Sequence, residues 1–308
     1  MSKGLSEKAA GIVENCRRDS STRTYSTPWN RWVLWCRARE ENPFECDPIV
    51  VVNFLSELFH EGFMYRTLGV YRSAISAYHD PIEGIPVGQS KIVEKFMGGV
   101  DNLRPPKPKY TVVWDVDIVV RFLRSMGENE DLNWRSMNLR LATILAIASY
   151  RRAADLFLLD VRYCSISETQ AVFNLAEKPK NHRKKGALPE PVVFQKSPDL
   201  ALCPAESIRK YLEITSPFRD QQNAHRLFLS HLKPHKQVKK DTIRCWLKLV
   251  LQKAGIDVTR FQGHSIRAAA SSKDKLSKGA SIDQILTCGN WKNASVWRKF
   301  YCKPLVEL

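Results

Sequence analysis

The stretch Leu103-Arg-Pro-Pro-Lys-Pro-Lys-Tyr110 divides this 308-residue chain into two unlike parts. Three prolines in the four positions 105–108 remove backbone donors and favour an extended, stiff connector that a helix or a sheet could not absorb. Charge changes across it. Residues 1–105 carry 13 basic and 13 acidic side chains and 106–308 carry 35 and 19, so the whole net charge of +16 lies beyond the connector. A uniform excess would act mainly on solubility, whereas a one-sided excess of this size draws polyanions, nucleic acid first.

Ahead of the connector, apolar residues recur at mixed three- and four-residue spacings over 6–18, 27–39, 48–60 and 65–78, with a fifth such stretch over 89–100. The spacing predicts helices, and a segment of this length predicts a compact bundle over 1–104. Asp47-Pro48 reads as an N-cap followed by proline in the first turn. Trp29, Trp32 and Trp35 recur every third residue and read as anchors of the bundle core rather than as a platform for stacked bases. Arg66 and Arg72, with the hydroxyls of Thr67, Ser73 and Ser76, share one predicted helix that could track a phosphate backbone or equally be an ordinary solvated surface.

Beyond the connector, 115–126 and 137–149 read as helices, the second apolar nearly all round and so buried. The runs 156–161, 171–175 and 192–195 read as strands, with a polar turn over 165–169 between the first two. Helices return over 204–214, 240–254, 265–276 and 281–287. The expected fold is mainly α, of the α+β class: a helical bundle over 1–104, a proline-rich linker over 105–110, and a mixed domain with a small antiparallel sheet over 111–308. Eight cysteines show neither a CxxC pair nor a zinc-ribbon spacing, so reduced thiols in an intracellular protein are expected. The sequence has no signal-peptide core and no run of about 20 apolar residues, and a membrane role is not expected.

Within the basic part, chemistry-bearing residues stand in a definite order. Tyr150-Arg-Arg152-Ala-Ala-Asp155 sets an arginine and a carboxylate three apart, and Phe173-Asn-Leu-Ala-Glu-Lys178 ends a strand-like run on a lysine. Gly263-His-Ser-Ile-Arg267 puts His264 and Arg267 on one face at the start of a helix, where an anion is favoured. Ile285-Leu-Thr-Cys-Gly-Asn-Trp291 follows, and Tyr301 comes ten residues after the tryptophan. An HxxR pair alone is a weak signal. The ordered set Arg, Lys, HxxR, Trp, Tyr resembles the catalytic domain of tyrosine recombinases and phage-type integrases, and the helical part ahead of it resembles their core-binding, SAM-like domain. This resemblance spans essentially the whole chain. In wording, GHSIRAAASSK, ILTCGNW and KFYCKP are most similar to the recombinases of eukaryotic DIRS-type or Crypton-type mobile elements. The spacing of ten between Trp291 and Tyr301 departs from the prokaryotic pattern, which usually has nine.

Attack on a phosphodiester builds negative charge on its non-bridging oxygens, and two guanidiniums answer it with permanently charged, forked donors. Arg152 and Arg267 fit such a clamp, with Asp155 orienting Arg152. The resemblance implies that Tyr301 is the nucleophile of a 3′-phosphotyrosyl intermediate, His264 a proton shuttle and Lys178 the acid for the leaving 5′-oxygen. It implies that Trp291 packs beside the phosphate and donates its indole N–H. Lys180 rivals Lys178. Lys180, Lys184 and Lys185 in the same loop are candidate DNA contacts, as are Arg244 and Lys248 on the polar side of an amphipathic helix.

The same loop also reads as a nuclear-import signal, so the nucleus is the expected location. No acidic cluster or HExxH-like motif suggests a metal, and no cofactor is expected. His231-Leu-Lys-Pro-His235 has the spacing of a metal pair, but its proline breaks the helix, and solvent-facing loop histidines are expected. Double-stranded DNA is the expected partner, with self-association into a dimer or tetramer in synapsis. The family's linking segment follows the nucleophile, where only residues 302–308 stand here, so the link is expected elsewhere or in a shortened form. The function implied is DNA cleavage and rejoining for a mobile element. The alternatives are a domesticated DNA-binding module without catalysis and a type IB topoisomerase-like relaxation that uses the same tyrosine chemistry.

Overall fold

The computed structural model describes residues 6–306 apart from 15, 18, 107–109, 181, 183–185 and 220–224. It divides into two compact units, Met1–Pro108 and Lys109–Leu308. The linker expected over 105–110 lies partly outside the described residues, and Lys184 and Lys185 lie wholly outside them.

The first unit contains α1 (Glu7–Glu14), α2 (Asp19–Arg37), α3 (Pro48–His60), α4 (Tyr65–Tyr78) and α5 (Lys91–Leu103). α3 starts where its sequence announces it: the Asp47 carboxylate accepts the Ile49 N–H at 2.7 Å and Pro48 occupies the first turn. α2 begins at Asp19 rather than at 27, with Pro28 inside it. Its first turns are polar, so no apolar period marks them. Trp32 is fully buried, donates its indole N–H to the Pro43 carbonyl at 3.0 Å and packs edge-on against Phe54. Trp29 and Trp35 lie half-buried against the same core, which Val51, Leu55, Leu68, Ile75 and Met97 complete.

The second unit opens with β1 (Val113–Trp114), α6 (Val116–Arg124), α7 (Trp134–Ser149) and the single turn α8 (Ala153–Leu156). A three-stranded antiparallel sheet follows, in the order β2 (Cys164–Ile166), β3 (Gln170–Phe173), β4 (Val192–Gln195). Cys164 stands opposite Phe173 and Gln170 opposite Gln195, and Ala171, Phe173, Val192 and Phe194 are buried on its core side. The remaining elements are α9 (Pro204–Thr215), α10 (Lys240–Lys253), α11 (Ile266–Ser277), α12 (Ile282–Gly289), α13 (Ala294–Phe300) and β5 (Leu305–Val306). From Met137 to Ala146 every side chain of α7 is buried, which makes this helix the axis of the core.

The run 156–161, expected as a strand, is not one. The Asp155 carboxylate turns back to accept the Arg152 N–H at 3.2 Å and starts α8, and beyond it, among the described residues, the run pairs through an isolated bridge of Asp160 with Arg226. Leu156, Leu158 and Leu159 are apolar because they are buried, not because they pair in a ladder. The strand lies further on, at β2. Periodicity also announces neither α13 nor the parallel pairing of β1 with β5, in which Val113 faces Leu305 and Trp114 faces Val306. His235, expected in solvent, stacks on Trp134 at 4.6 Å with Phe218 beside it. Among the described residues, no three His, Cys, Asp or Glu side chains converge as metal ligands, and no helix is long and apolar enough to cross a membrane.

Candidate active site

The turn that opens α11 is held from two sides. Ser265 is buried and accepts the Trp114 indole N–H at 2.9 Å, which ties the turn to β1. A Cβ on Gly263 would stand 3.2 Å from Leu247 Cβ and 3.4 Å from the Arg244 carbonyl, so glycine lets the turn press against α10. Arg244 and Lys248, both exposed on α10, therefore flank the HxxR turn. His264 is exposed, whereas Arg267, one turn further on, is only 1% exposed.

Arg267 is the centre of the cluster. Its Nη1 donates to the Tyr150 carbonyl and its Nη2 to the Gly289 carbonyl at 3.0 Å. Its guanidinium carbon lies 4.1 Å from the centre of the Trp291 ring and 5.2 Å from that of Tyr301. Those two rings meet edge to face with centroids 4.9 Å apart. α12 arranges this contact: Asn290 takes a left-handed conformation at φ 51°, folding Trp291 back over Gly289, where any Cβ would collide with the indole. Arg267 Nε and Trp291 Nε1 are buried donors without an acceptor among the described residues. Burial, reinforced by the Arg152 guanidinium, pulls Arg267 down to about 9 against the opposing influence of Tyr301 and Asp155. It is still a cation at neutral pH.

Arg152 approaches the same cluster from α8. Its guanidinium is 29% exposed and stands 3.7 Å from the Asp155 carboxylate, which is 3% exposed. Asp155 thus fixes both the backbone and the side chain of Arg152. Tyr301, half-buried at the end of α13, donates its N–H to the Trp297 carbonyl at 2.8 Å. Its own carbonyl accepts from the Ser272 hydroxyl at 3.0 Å, and that hydroxyl accepts the Lys303 N–H at 3.0 Å. The helix that carries Arg267 therefore also holds the tyrosine. Nothing in the sequence sets Ser272 apart from Ser271, whose hydroxyl donates instead to the Arg267 carbonyl at 2.6 Å and accepts the Trp297 indole N–H at 3.0 Å.

Other candidates stand apart from this cluster. Lys178 and Lys180 are exposed in the loop after β3, and neither makes a hydrogen bond or ion pair among the described residues. In the first unit, Arg66 is exposed on α4 and Arg72 half-buried. Arg72 lines an open cleft of about 520 Å³ with Arg17, Tyr25 and Gln89. The Ser73 and Ser76 hydroxyls turn back to the helix carbonyls of Gly69 and Arg72 at 2.8 and 2.9 Å, so they are already engaged by the helix.

Solved structures share this architecture. The chain is similar to the XerH site-specific recombinase bound to its difH substrate, with a TM-score of 0.58 and 13% identity over 90% of this chain and 74% of that one. It is similar to the Tn1549 transposon integrase in complex with transposon right-end DNA, at 0.57 and 11% over 83% and 80%. It is also similar to a lambda integrase dimer bound to a COC′ core site, at 0.55 and 15% over 94% and 91%. This is the tyrosine recombinase fold. At these identities the likeness is one of architecture, and no family model and no curated protein matches the sequence. Within the recombinase fold, Arg152, Asp155, Arg267, Trp291 and Tyr301 all belong to the second unit.

Proposed function

We propose that this chain cuts and rejoins double-stranded DNA as a tyrosine recombinase, with Tyr301 as its nucleophile. The observation that carries this reading is the seating of the Arg267 guanidinium against both the Trp291 and Tyr301 rings, which puts a buried cation beside a phenol. Tyr301 Oη bonds to phosphorus while the P–O5′ bond breaks. The phenol proton passes to His264, and the leaving 5′-oxygen takes one from Lys178. The bond energy stays in a 3′-phosphotyrosyl ester, so a 5′-hydroxyl from a second strand reverses the step without ATP. Arg152, oriented by Asp155, and Arg267 hold the non-bridging oxygens, and Trp291 donates its indole N–H.

Arg244, Lys248, Lys180, Lys184 and Lys185 neutralise phosphates from the domain over 111–308, and Arg66 and Arg72 do so from the core-binding bundle over 1–104. The DNA complexes of the similar recombinases, one of them a dimer, support a DNA partner and self-association on it. Motif wording favours a mobile-element recombinase of DIRS or Crypton type, acting in the nucleus. The test is incubation with nicked suicide substrates carrying candidate sites. A covalent protein–DNA adduct that vanishes in Tyr301→Phe supports the reading. DNA binding without adduct on any site favours a domesticated binding module, and plasmid relaxation without junction products favours a topoisomerase.

A further inference from the structure

We infer that Arg151 is a third cation of the phosphate site, acting behind Arg152 and Arg267; this rests on the recombinase reading above. Arg151 is 4% exposed, and its Nε meets no acceptor among the described residues. A guanidinium taken out of water is costly unless an anion or several acceptors answer it.

The corner it occupies is short of anions. Tyr150 ends α7 in the left-handed region at φ 49°, and the carbonyl that receives Arg267 Nη1 belongs to the peptide joining Tyr150 to Arg151. Arg267 therefore binds the turn from which Arg151 departs, with Arg152 next in the chain. Nearby Cys288 stays a neutral thiol, pushed up to about 11 by burial, and its Sγ donates to the Ala148 carbonyl at 3.3 Å. Asp274 is engaged elsewhere: it accepts the Tyr150 hydroxyl and pairs with Lys278 at 2.8 Å. Asp155 is left as the carboxylate shared by Arg151, Arg152 and Arg267.

Three positive groups against one negative leave an excess of two. A tyrosinate attacking a phosphodiester brings one negative charge from each partner, and the excess of the three arginines over Asp155, beside the proton that His264 takes up, favours that charge at the moment of attack. Arg151 need not touch the phosphate for this, because charges in a buried, low-dielectric setting act over several ångströms. Burial above all lowers its proton affinity, with Asp155 opposing, as expected of a cation whose countercharge is incomplete.

The test uses the full chain as wild type, as Arg151→Met, similar in length but uncharged, and as Arg151→Lys, which keeps the charge. Three quantities are read: the rise in Tm with inorganic phosphate, the single-turnover rate of adduct formation on the nicked substrate, and the Kd for the same DNA. Arg151→Met is expected to melt at or above the wild-type temperature without phosphate, because an unanswered buried charge is gone. It should lose most of its phosphate-induced shift and form adduct about tenfold or more slowly, with its DNA Kd nearly unchanged. Arg151→Lys should recover most of the rate.

A methionine variant that responds to phosphate and forms adduct like the wild type overturns the inference. A methionine variant that fails to fold also overturns it, because the residue would then be structural. Wild-type protein that shows neither a phosphate response nor an adduct overturns the recombinase reading itself.

Discussion

Ser272 and Tyr301 are joined by a 3.0 Å hydrogen bond from the serine hydroxyl to the tyrosine carbonyl. The same buried oxygen accepts the Lys303 N–H, so one side chain fixes the backbone on both sides of Cys302. α11 thereby sets the depth of Arg267 and the place of the ring that packs on it.

Ser272→Ala leaves the Tyr301 carbonyl and the Lys303 amide without this partner. The expected cost is about 1–3 kcal/mol of stability, read from urea denaturation. On the reading of Tyr301 as nucleophile, adduct formation should slow about tenfold, because a displaced ring loses alignment, while DNA affinity holds. Equal losses in rate and in affinity would show that the hydroxyl supports the fold alone.

Lys273, next along α11, pairs at 2.8 Å with both Asp115 and Asp117. Burial works to raise the Asp115 carboxyl, but hydrogen bonds from the Lys273 ammonium and the Asp117 amide outweigh it and hold it below the ordinary carboxylate range. A carboxylate depressed in the folded state contributes stability above its unfolded value of about 3.9 and loses it as pH falls through the folded value. Asp115→Asn should therefore cost about 1–3 kcal/mol at neutral pH and progressively less in acid. Urea midpoints of the two proteins should draw together as pH falls below the unfolded value of about 3.9 and through the lower folded one, and a constant gap across that fall would refute the ion pair as the cause.

The two loop lysines can be separated by the leaving group. If Lys178 protonates the 5′-oxygen, Lys178→Ala should slow cleavage about a hundredfold on ordinary DNA. The loss should shrink on a substrate whose bridging 5′-oxygen is sulfur, which departs without a proton. Lys180→Ala should show a small loss and no such rescue. The reverse pattern would move the role to Lys180.

What the sequence makes legible follows the reach of each signal. Asp47-Pro48 marks the start of α3 because a cap is local chemistry, and the apolar surround of α7 marks its burial. The polar first turns of α2 carry no such mark, and the apolar run at 156–161 is read as a strand although its leucines are buried around a helical turn. Within the candidate site, the order of Arg152, Asp155, Arg267, Trp291 and Tyr301 is legible, and the structure packs Arg267, Trp291 and Tyr301 together. Ser272 and Arg151 are not legible, since one serine beside another and one arginine beside another look alike until tertiary burial tells them apart.

The ladder between β1 and β5 has a mechanical side. The strands run parallel, and Val113 N–H reaches the Pro304 carbonyl at 2.9 Å while Asp115 N–H reaches Val306 at 3.2 Å. Tension that drew the chain backwards from 113 and onwards from 306 would load the strands lengthwise, so both bonds must yield together instead of unzipping in turn. A tug on the tail is thus borne by this latch before it reaches Tyr301, whose ring can keep its seat while the chain beyond it is under load.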